Sequence, residues 1–98
     1  MKNETYKGRK LQTTKGSGYG YSRARVNGVG LGTHLRNEES TMQWMRGTID
    51  YIDREPVNGD RWGAEWYAPG TYELCEENHP KTIGEECRHS YCIKRAAH

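Results

Sequence analysis

The chain has 98 residues, enough for one domain, and with 33% hydrophobic residues and no phenylalanine it must fill a thin core with Trp, Tyr, Met and aliphatic side chains. No apolar run approaches the roughly 18 residues of a membrane span, and Met1-Lys2-Asn3-Glu4-Thr5-Tyr6 lacks the apolar stretch of a signal peptide, so the expectation is a cytoplasmic protein with no membrane partner. The net charge of +2 hides a split: residues 1–36 hold eight basic side chains against one acidic, a net of +7, while residues 37–98 hold seven against twelve, a net of −5. Such a split suggests that the first part meets a polyanion; the plainer reading is a basic sheet and an acidic helix that attract each other within the fold.

In chain order, Met1 to Gly8 reads as a frayed basic arm. Arg9 to Thr14 can form a first strand anchored by Leu11, and Lys15-Gly16-Ser17-Gly18 is a flexible turn. Tyr19 to Val26 and Val29 to Arg36 then flank Asn27-Gly28, a strong hairpin signal because a type I′ turn needs φ > 0 at both central residues. A two-residue turn sets Val26 opposite Val29, Ala24 opposite Leu31, Ser22 opposite Thr33 and Gly20 opposite Leu35 on the buried side. Alternation directs Tyr19, Tyr21, Arg23 and Arg25 outward, across from Arg36, His34, Gly32 and Gly30.

Asn37 is a good N-cap with Glu38 and Glu39 in the first turn; a capping box from Ser40 to Gln43 is the alternative start. The helix body spans Ser40 to Arg54. Met42, Met45, Ile49 and Ile52 recur at spacings of three and four, widened by Trp44 and Tyr51, and should cover Ala24, Val26, Val29 and Leu31. Gly47 in mid-helix predicts a close approach to the sheet, and Pro56 ends the helix. Val57-Asn58-Gly59-Asp60 is a loop. Arg61 to Tyr67 and Thr71 to Cys75 read as two strands about a type II turn at Ala68-Pro69-Gly70-Thr71. From Cys75 to Lys94 there is little periodicity, so something other than a core must organise that segment.

The outward hairpin face is basic and aromatic. Arginine addresses guanine edges or phosphates, aromatic rings stack on bases, a two-stranded ribbon fits the major groove, and Gly30 and Gly32 allow close backbone approach. The candidate nucleic-acid contacts are Tyr19, Tyr21, Arg23, Arg25, His34 and Arg36, with Lys10 and Lys15 beside them. The plain alternative is that Tyr and Arg lean over neighbouring glycines on a solvated face.

Three antiparallel strands followed by a helix, with the hairpin Tyr21-Ser22-Arg23-Ala24-Arg25-Val26-Asn27-Gly28 and the helix start Asn37-Glu38-Glu39-Ser40-Thr41-Met42-Gln43-Trp44, resemble the N-terminal arm-site-binding domain of phage tyrosine integrases. The pattern is also similar to the plant ethylene-response type of DNA-binding domain. The resemblance covers about residues 9–54 and rests on alternation more than on a diagnostic motif. It implies a sheet laid in the major groove, with Tyr21, Arg23, Arg25 and His34 touching DNA. An integrase catalytic domain is absent, and the acidic C-terminal portion has no counterpart. The overall style is similar to small uncharacterised proteins of actinobacterial phages, which implies a setting and no activity.

A second constellation is Cys75, His79, Cys87 and Cys92: four borderline-soft donors in a stretch with no apolar pattern, the set a tetrahedral zinc ion takes, with His89 able to replace His79 or Cys92. Four protein ligands imply a structural ion. The alternatives are one disulfide between Cys75 and Cys87 or Cys92, and three small apolar fillers. No phosphate-cradling loop, nucleophile elbow or HExxH pair is present, and Glu76, Glu77, Glu85 and Glu86 belong to no motif, so no enzymatic activity is expected.

The chain therefore reads as α+β: a three-stranded antiparallel sheet packed by one α-helix, then a β-hairpin and a Cys/His-stapled C-terminal loop. Residues 1–56 form the basic module and residues 57–98 the zinc-binding extension, as one compact unit. The expected function is DNA (or RNA) binding as an accessory or regulatory factor. The alternative is binding and inhibition of a host protein through the acidic half and its aromatics, Trp62, Trp66, Tyr67 and Tyr72.

Overall fold

Two tight turns of one kind shape the sheet. The computed structural model describes residues 2–15 and 21–96, which leaves Tyr19 outside. Asn27 and Gly28 take φ of 48° and 84°, the left-handed pair of a type I′ turn, and join β3 (Ser22–Val26) to β4 (Val29–Leu35). Lys7 and Gly8, at 47° and 84°, make a second such turn between β1 (Asn3–Tyr6) and β2 (Arg9–Lys15). With β2 antiparallel to β3, the strand order is β1-β2-β3-β4 and both turns lie at one end.

The sheet is thus four-stranded, and the expected frayed arm is a strand. Residues far along the chain hold it: Arg46 donates to both Glu4 carboxylate oxygens at 2.6 Å. Asp50 accepts from the Tyr6 hydroxyl at 2.9 Å and from Lys7 Nζ at 2.6 Å. Lysine seldom occupies a left-handed turn position, so Lys7-Gly8 carried a weak turn signal.

The β3–β4 register departs from the expected one. Val26 pairs with Val29 and Arg25 with Gly30, but Arg23 then pairs with His34 and Ser22 with Leu35. Only Ala24 lies between those pairs on β3, against Leu31, Gly32 and Thr33 on β4. The two extra residues form a bulge in a glycine-rich edge strand. An even shift preserves the faces, so Arg23 and Arg25 still alternate outward from buried Ser22, Ala24 and Val26.

α1 (Glu38–Ile52) crosses the opposite face. Asn37 Oδ1 accepts from the Ser40 amide at 2.8 Å, so Asn37 is the cap, and Glu38 and Glu39 sit at the positive end of the helix dipole. Met42, Met45, Ile49 and Ile52 pack on Leu11, Ala24 and Val26. Val29, expected beneath the helix, stays 46% exposed on the edge strand. The core beside that turn is filled instead by Trp66 and Tyr67, whose backbone carbonyls are held by Arg9 Nε and Asn27 Nδ2 at 2.9 and 3.3 Å. Gly47 approaches nothing: a Cβ there would meet no atom within 4 Å, so its cost of about 1 kcal/mol relative to alanine has no packing reason.

Arg61 to Tyr67 is not a strand. A 3₁₀ turn at Ala64–Trp66 brings the consecutive Trp66 and Tyr67 both inward, 5% and 4% exposed, which alternation in a strand forbids. Arg9, also buried, donates to both Asp53 carboxylate oxygens at 2.5 and 3.1 Å. The turn at 68–71 forms as expected, with the Thr71 amide donating to the Ala68 carbonyl at 3.1 Å and Gly70 at φ 85°. Its strand, β5 (Tyr72–Leu74), pairs with β6 (Pro80–Thr82). A short helix, α2 (Ser90–Ala96), closes the described chain. Among the described residues, no helix is long and apolar enough to cross a membrane.

The ion pairs that hold β1 and the N-terminal arm give the fold an acid limb. Hydrogen bonds from Lys7 and then Tyr6 hold Asp50 below its ordinary value, one from Arg46 does the same for Glu4, and one from Lys2 for Glu39. A carboxylate with a depressed folded pKa stabilises the native state above its unfolded value and loses that contribution as pH falls through the folded one. The urea midpoint is expected to drop as pH falls through and below the ordinary carboxylate range, and to drop less in Glu4→Gln. Equal pH dependence in the variant would show that this pair does not govern the acid limb.

Candidate functional site

Two features stand out on the fold: a cluster of cysteine and histidine in the C-terminal third, and the uncovered face of the sheet. The cluster begins at the β5–β6 tip. The Cys75 amide donates to the His79 carbonyl at 2.9 Å and the Asn78 amide to the Cys75 carbonyl at 2.8 Å, with Asn78 at φ 63°. This tight turn aims Cys75 and His79 the same way. Cys92, early in α2, and Cys87, in the loop before it, meet them, and the four ligand atoms lie within 4.8 Å of one another.

Cys75 Sγ is 3.5 Å from His79 Nδ1 and 3.9 Å from Cys92 Sγ, and Cys92 Sγ is 3.6 Å from His79 Nδ1. The His79 amide donates to Cys75 Sγ and the His89 amide to Cys87 Sγ, each at 3.4 Å. Burial works to lift the Cys75 thiol, but hydrogen bonds from the His79 and Glu77 amides and from Cys87 and Cys92 bring it down to about 7. Burial, with Cys87 and Cys75 alongside, pushes Cys92 up to about 12. One thiolate here makes the next more costly, a penalty that a cation shared by the sulfurs removes. All three cysteines are unbridged. The arrangement of three cysteines and one histidine is compatible with a metal site.

His89 stands outside the ligand set. Its ring stacks on that of His79 at 3.6 Å with 12° between planes. Nε2 faces Asp60 Oδ1 at 2.9 Å, and Nδ1 accepts from the Tyr91 amide at 3.2 Å. Asp60 also accepts from the Ser90 amide at 2.8 Å. Asp60 and His89 therefore tie the cluster to the loop after α1. Sequence reasoning missed this support, since nothing local links residues 60 and 89.

On the open face, exposed Lys10, Arg23 and Arg25 project from β2 and β3, with Gln12 opposite Arg25 and Thr14 opposite Arg23. Gly30 and Gly32 leave a depression of about 390 Å³ beside Thr14, Arg23 and Arg25. Tyr21, Lys15 and Arg36 are exposed at the margins. His34 is in register opposite Arg23, and its side chain lies outside the described residues, as Tyr19 does. Among the described residues no strand position on this face is a carboxylate.

The charge split has two destinations. Lys2, Lys7 and Arg9 pair with Glu39, Asp50 and Asp53 inside the fold, as the plainer reading expected. Lys10 and Arg25 make no ion pair among the described residues. Of the four aromatics considered for a protein-binding patch, Trp66 and Tyr67 are in the core, and Trp62 and Tyr72 pack against it. Comparison with protein-family models, with curated proteins and with solved structures finds no match.

Proposed function

We propose that this chain is a non-catalytic DNA-binding protein, an accessory or regulatory factor, that contacts a duplex through the outer face of β2, β3 and β4 and is stapled by one structural zinc ion. The observation that carries the DNA reading is the uncovered face itself: three outward cations over a glycine-floored strip, with no carboxylate among its described strand positions. Strands spaced about 4.8 Å apart make the whole sheet wider than a major groove of about 12 Å once side chains are added. The β3–β4 edge suits entry, with Arg23 and Arg25 aimed at base edges and Lys10 and Lys15 left to the phosphates. Fluorescence anisotropy with a labelled duplex across a salt series tests this. Retention that ignores salt, or survives loss of both arginines, would overturn it.

The zinc reading rests on shape as well as donor type. Zinc bonds of about 2.3 Å to sulfur and about 2.0 Å to nitrogen give a tetrahedron with edges near 3.8 Å between sulfurs and 3.5 Å from sulfur to nitrogen. Among Cys75, His79 and Cys92 the separations are 3.9, 3.5 and 3.6 Å, and Cys87 Sγ lies within 4.8 Å of all three ligand atoms. Three thiols and an imidazole suit zinc, and four protein ligands leave no position for a reacting water. Support around a metal ligand contributes about 10- to 100-fold in affinity. His89→Ala, which removes the stacked ring and its tie to Asp60, is expected to lower zinc affinity by about that factor at unchanged one-to-one stoichiometry. Competition with a chromophoric chelator measures it.

A further inference from the structure

A groove between α1 and Arg61-Trp62 runs along the flank of the helix, beside the stripe that packs on the sheet, and it bears on binding independently of the DNA reading. Gly47, exposed and in mid-helix, is costly there. No close approach requires it, since a Cβ would meet nothing within 4 Å. Its effect is on the surface, where it lowers the floor of a groove of about 410 Å³ walled by Trp44, Tyr51, Trp62 and Arg61. Volumes of this order hold ligands.

The walls state what they lack. Trp62 Nε1 is buried with no hydrogen-bond partner among the described residues, an arrangement that costs free energy and that an acceptor in the groove relieves only if the ring turns toward it. Arg61 Nη1 donates to the Tyr51 hydroxyl at 3.2 Å, which leaves that hydroxyl its own proton to give. The rings meet edge to face: Tyr51 and Trp62 at 65°, Trp62 and Trp66 at 72°, Trp44 and Trp66 at 82°. They present ridges more than a flat stacking platform, and both Arg54 and Arg61 lie over the Tyr51 ring, at 5.8 and 5.6 Å.

A ligand matched to these walls offers acceptors between apolar rings and brings few donors. An extended proline-rich chain does so: its carbonyls are unpaired, its prolines have no N–H, and its rings fit between aromatic ridges. Arg61 already faces the Glu55 carboxylate at 3.9 Å, whereas Arg54 makes no ion pair among the described residues, so it is Arg54, over the Tyr51 ring, that favours an acidic residue on that chain. We propose that the groove floored by Gly47 binds a proline-rich peptide segment of a partner protein, in polyproline II form, bearing an acidic residue beside its prolines.

The test uses the whole zinc-loaded protein and three probes: a proline peptide of about ten residues ending in two aspartates, the same peptide ending in two lysines, and single-stranded oligothymidylate. Tryptophan fluorescence is expected to saturate with the aspartate peptide, at an affinity about tenfold above the lysine peptide. Gly47→Leu fills the groove with a better helix former, so it is expected to abolish peptide binding with an equal or higher melting temperature. Tyr51→Ala should weaken the same titration. Duplex-DNA retention in Gly47→Leu should match the parent, which separates this inference from the sheet-face reading. Undiminished peptide binding in Gly47→Leu, no response to either peptide, or saturation by oligothymidylate instead would each overturn the proposal.

Discussion

Chelation of zinc is expected to unfold residues from Tyr72 to Ala96 while the four-stranded sheet and α1 remain intact. Beyond Tyr72, which packs on the core beside Tyr67, and the ties from Asp60 to His89 and Ser90, the small unit has little to hold it. β5 and β6 have three residues each, and an isolated hairpin is marginal at any length. α2 has seven, well short of the roughly 12 to 15 at which a lone helix becomes even marginally stable. Leu74, Ile83, Tyr91 and Ile93 are all about half exposed, so apolar burial contributes little. A structural zinc ion supplies about 10 to 16 kcal/mol in comparable small units, larger than any other interaction available here. The main core draws on residues between Leu11 and Tyr67 and needs nothing from the cluster. Amide exchange should therefore lose protection in β5, β6 and α2 on chelation and keep it in β2, β3 and α1, with recovery on readdition. Cys87→Ser should reproduce the metal-free pattern. Equal protection with and without the ion would remove zinc as the staple.

Replacing Arg23 and Arg25 by alanine should weaken duplex binding by about 10- to 100-fold at fixed salt and flatten the salt dependence. Each lost phosphate contact lowers the slope of log affinity against log salt by about 0.9, and each lost bidentate base contact costs about 1 to 3 kcal/mol and relaxes sequence preference. Both side chains leave the outer face while Ser22, Ala24 and Val26 face inward, so the fold should be retained. Lys7→Ala is the matched control, because Lys7 pairs with Asp50 on the other side of the sheet; its slope should equal that of the parent. Identical slopes in the double variant and the parent would move the site away from this face.

Much of the framework could be read locally. Asn27-Gly28 announced its turn because few other residues accept positive φ, and the stripe of Met42, Met45, Ile49 and Ile52 announced its helix because spacings of three and four put those side chains on one face. The outward direction of Arg23 and Arg25 followed from alternation, and it survived a register error because the bulge added an even number of residues. Cys75, His79, Cys87 and Cys92 were legible as a set from donor chemistry in a stretch without an apolar pattern. The errors share a cause as well. The pairing of β1 depends on Arg46 and Asp50, some forty residues later, and Arg61 to Tyr67 carries aromatic residues whose strand propensity gave way to packing.

Alternation, turn stereochemistry and donor chemistry are properties of neighbouring residues, so the hairpin tip, the helix and a pool of five candidate donors, Cys75, His79, Cys87, His89 and Cys92, could be read from the order of amino acids alone. Distance between remote residues is not such a property. It took the folded chain to bring Glu4 to Arg46 and to seat Trp66 and Tyr67 beside Asn27. The same folding closed four donors to within 4.8 Å and set His89 against His79 rather than among the ligands. Packing, hydrogen bonding and charge pairing act through space, and their partners are chosen only when the whole chain competes for the same core and the same few polar groups.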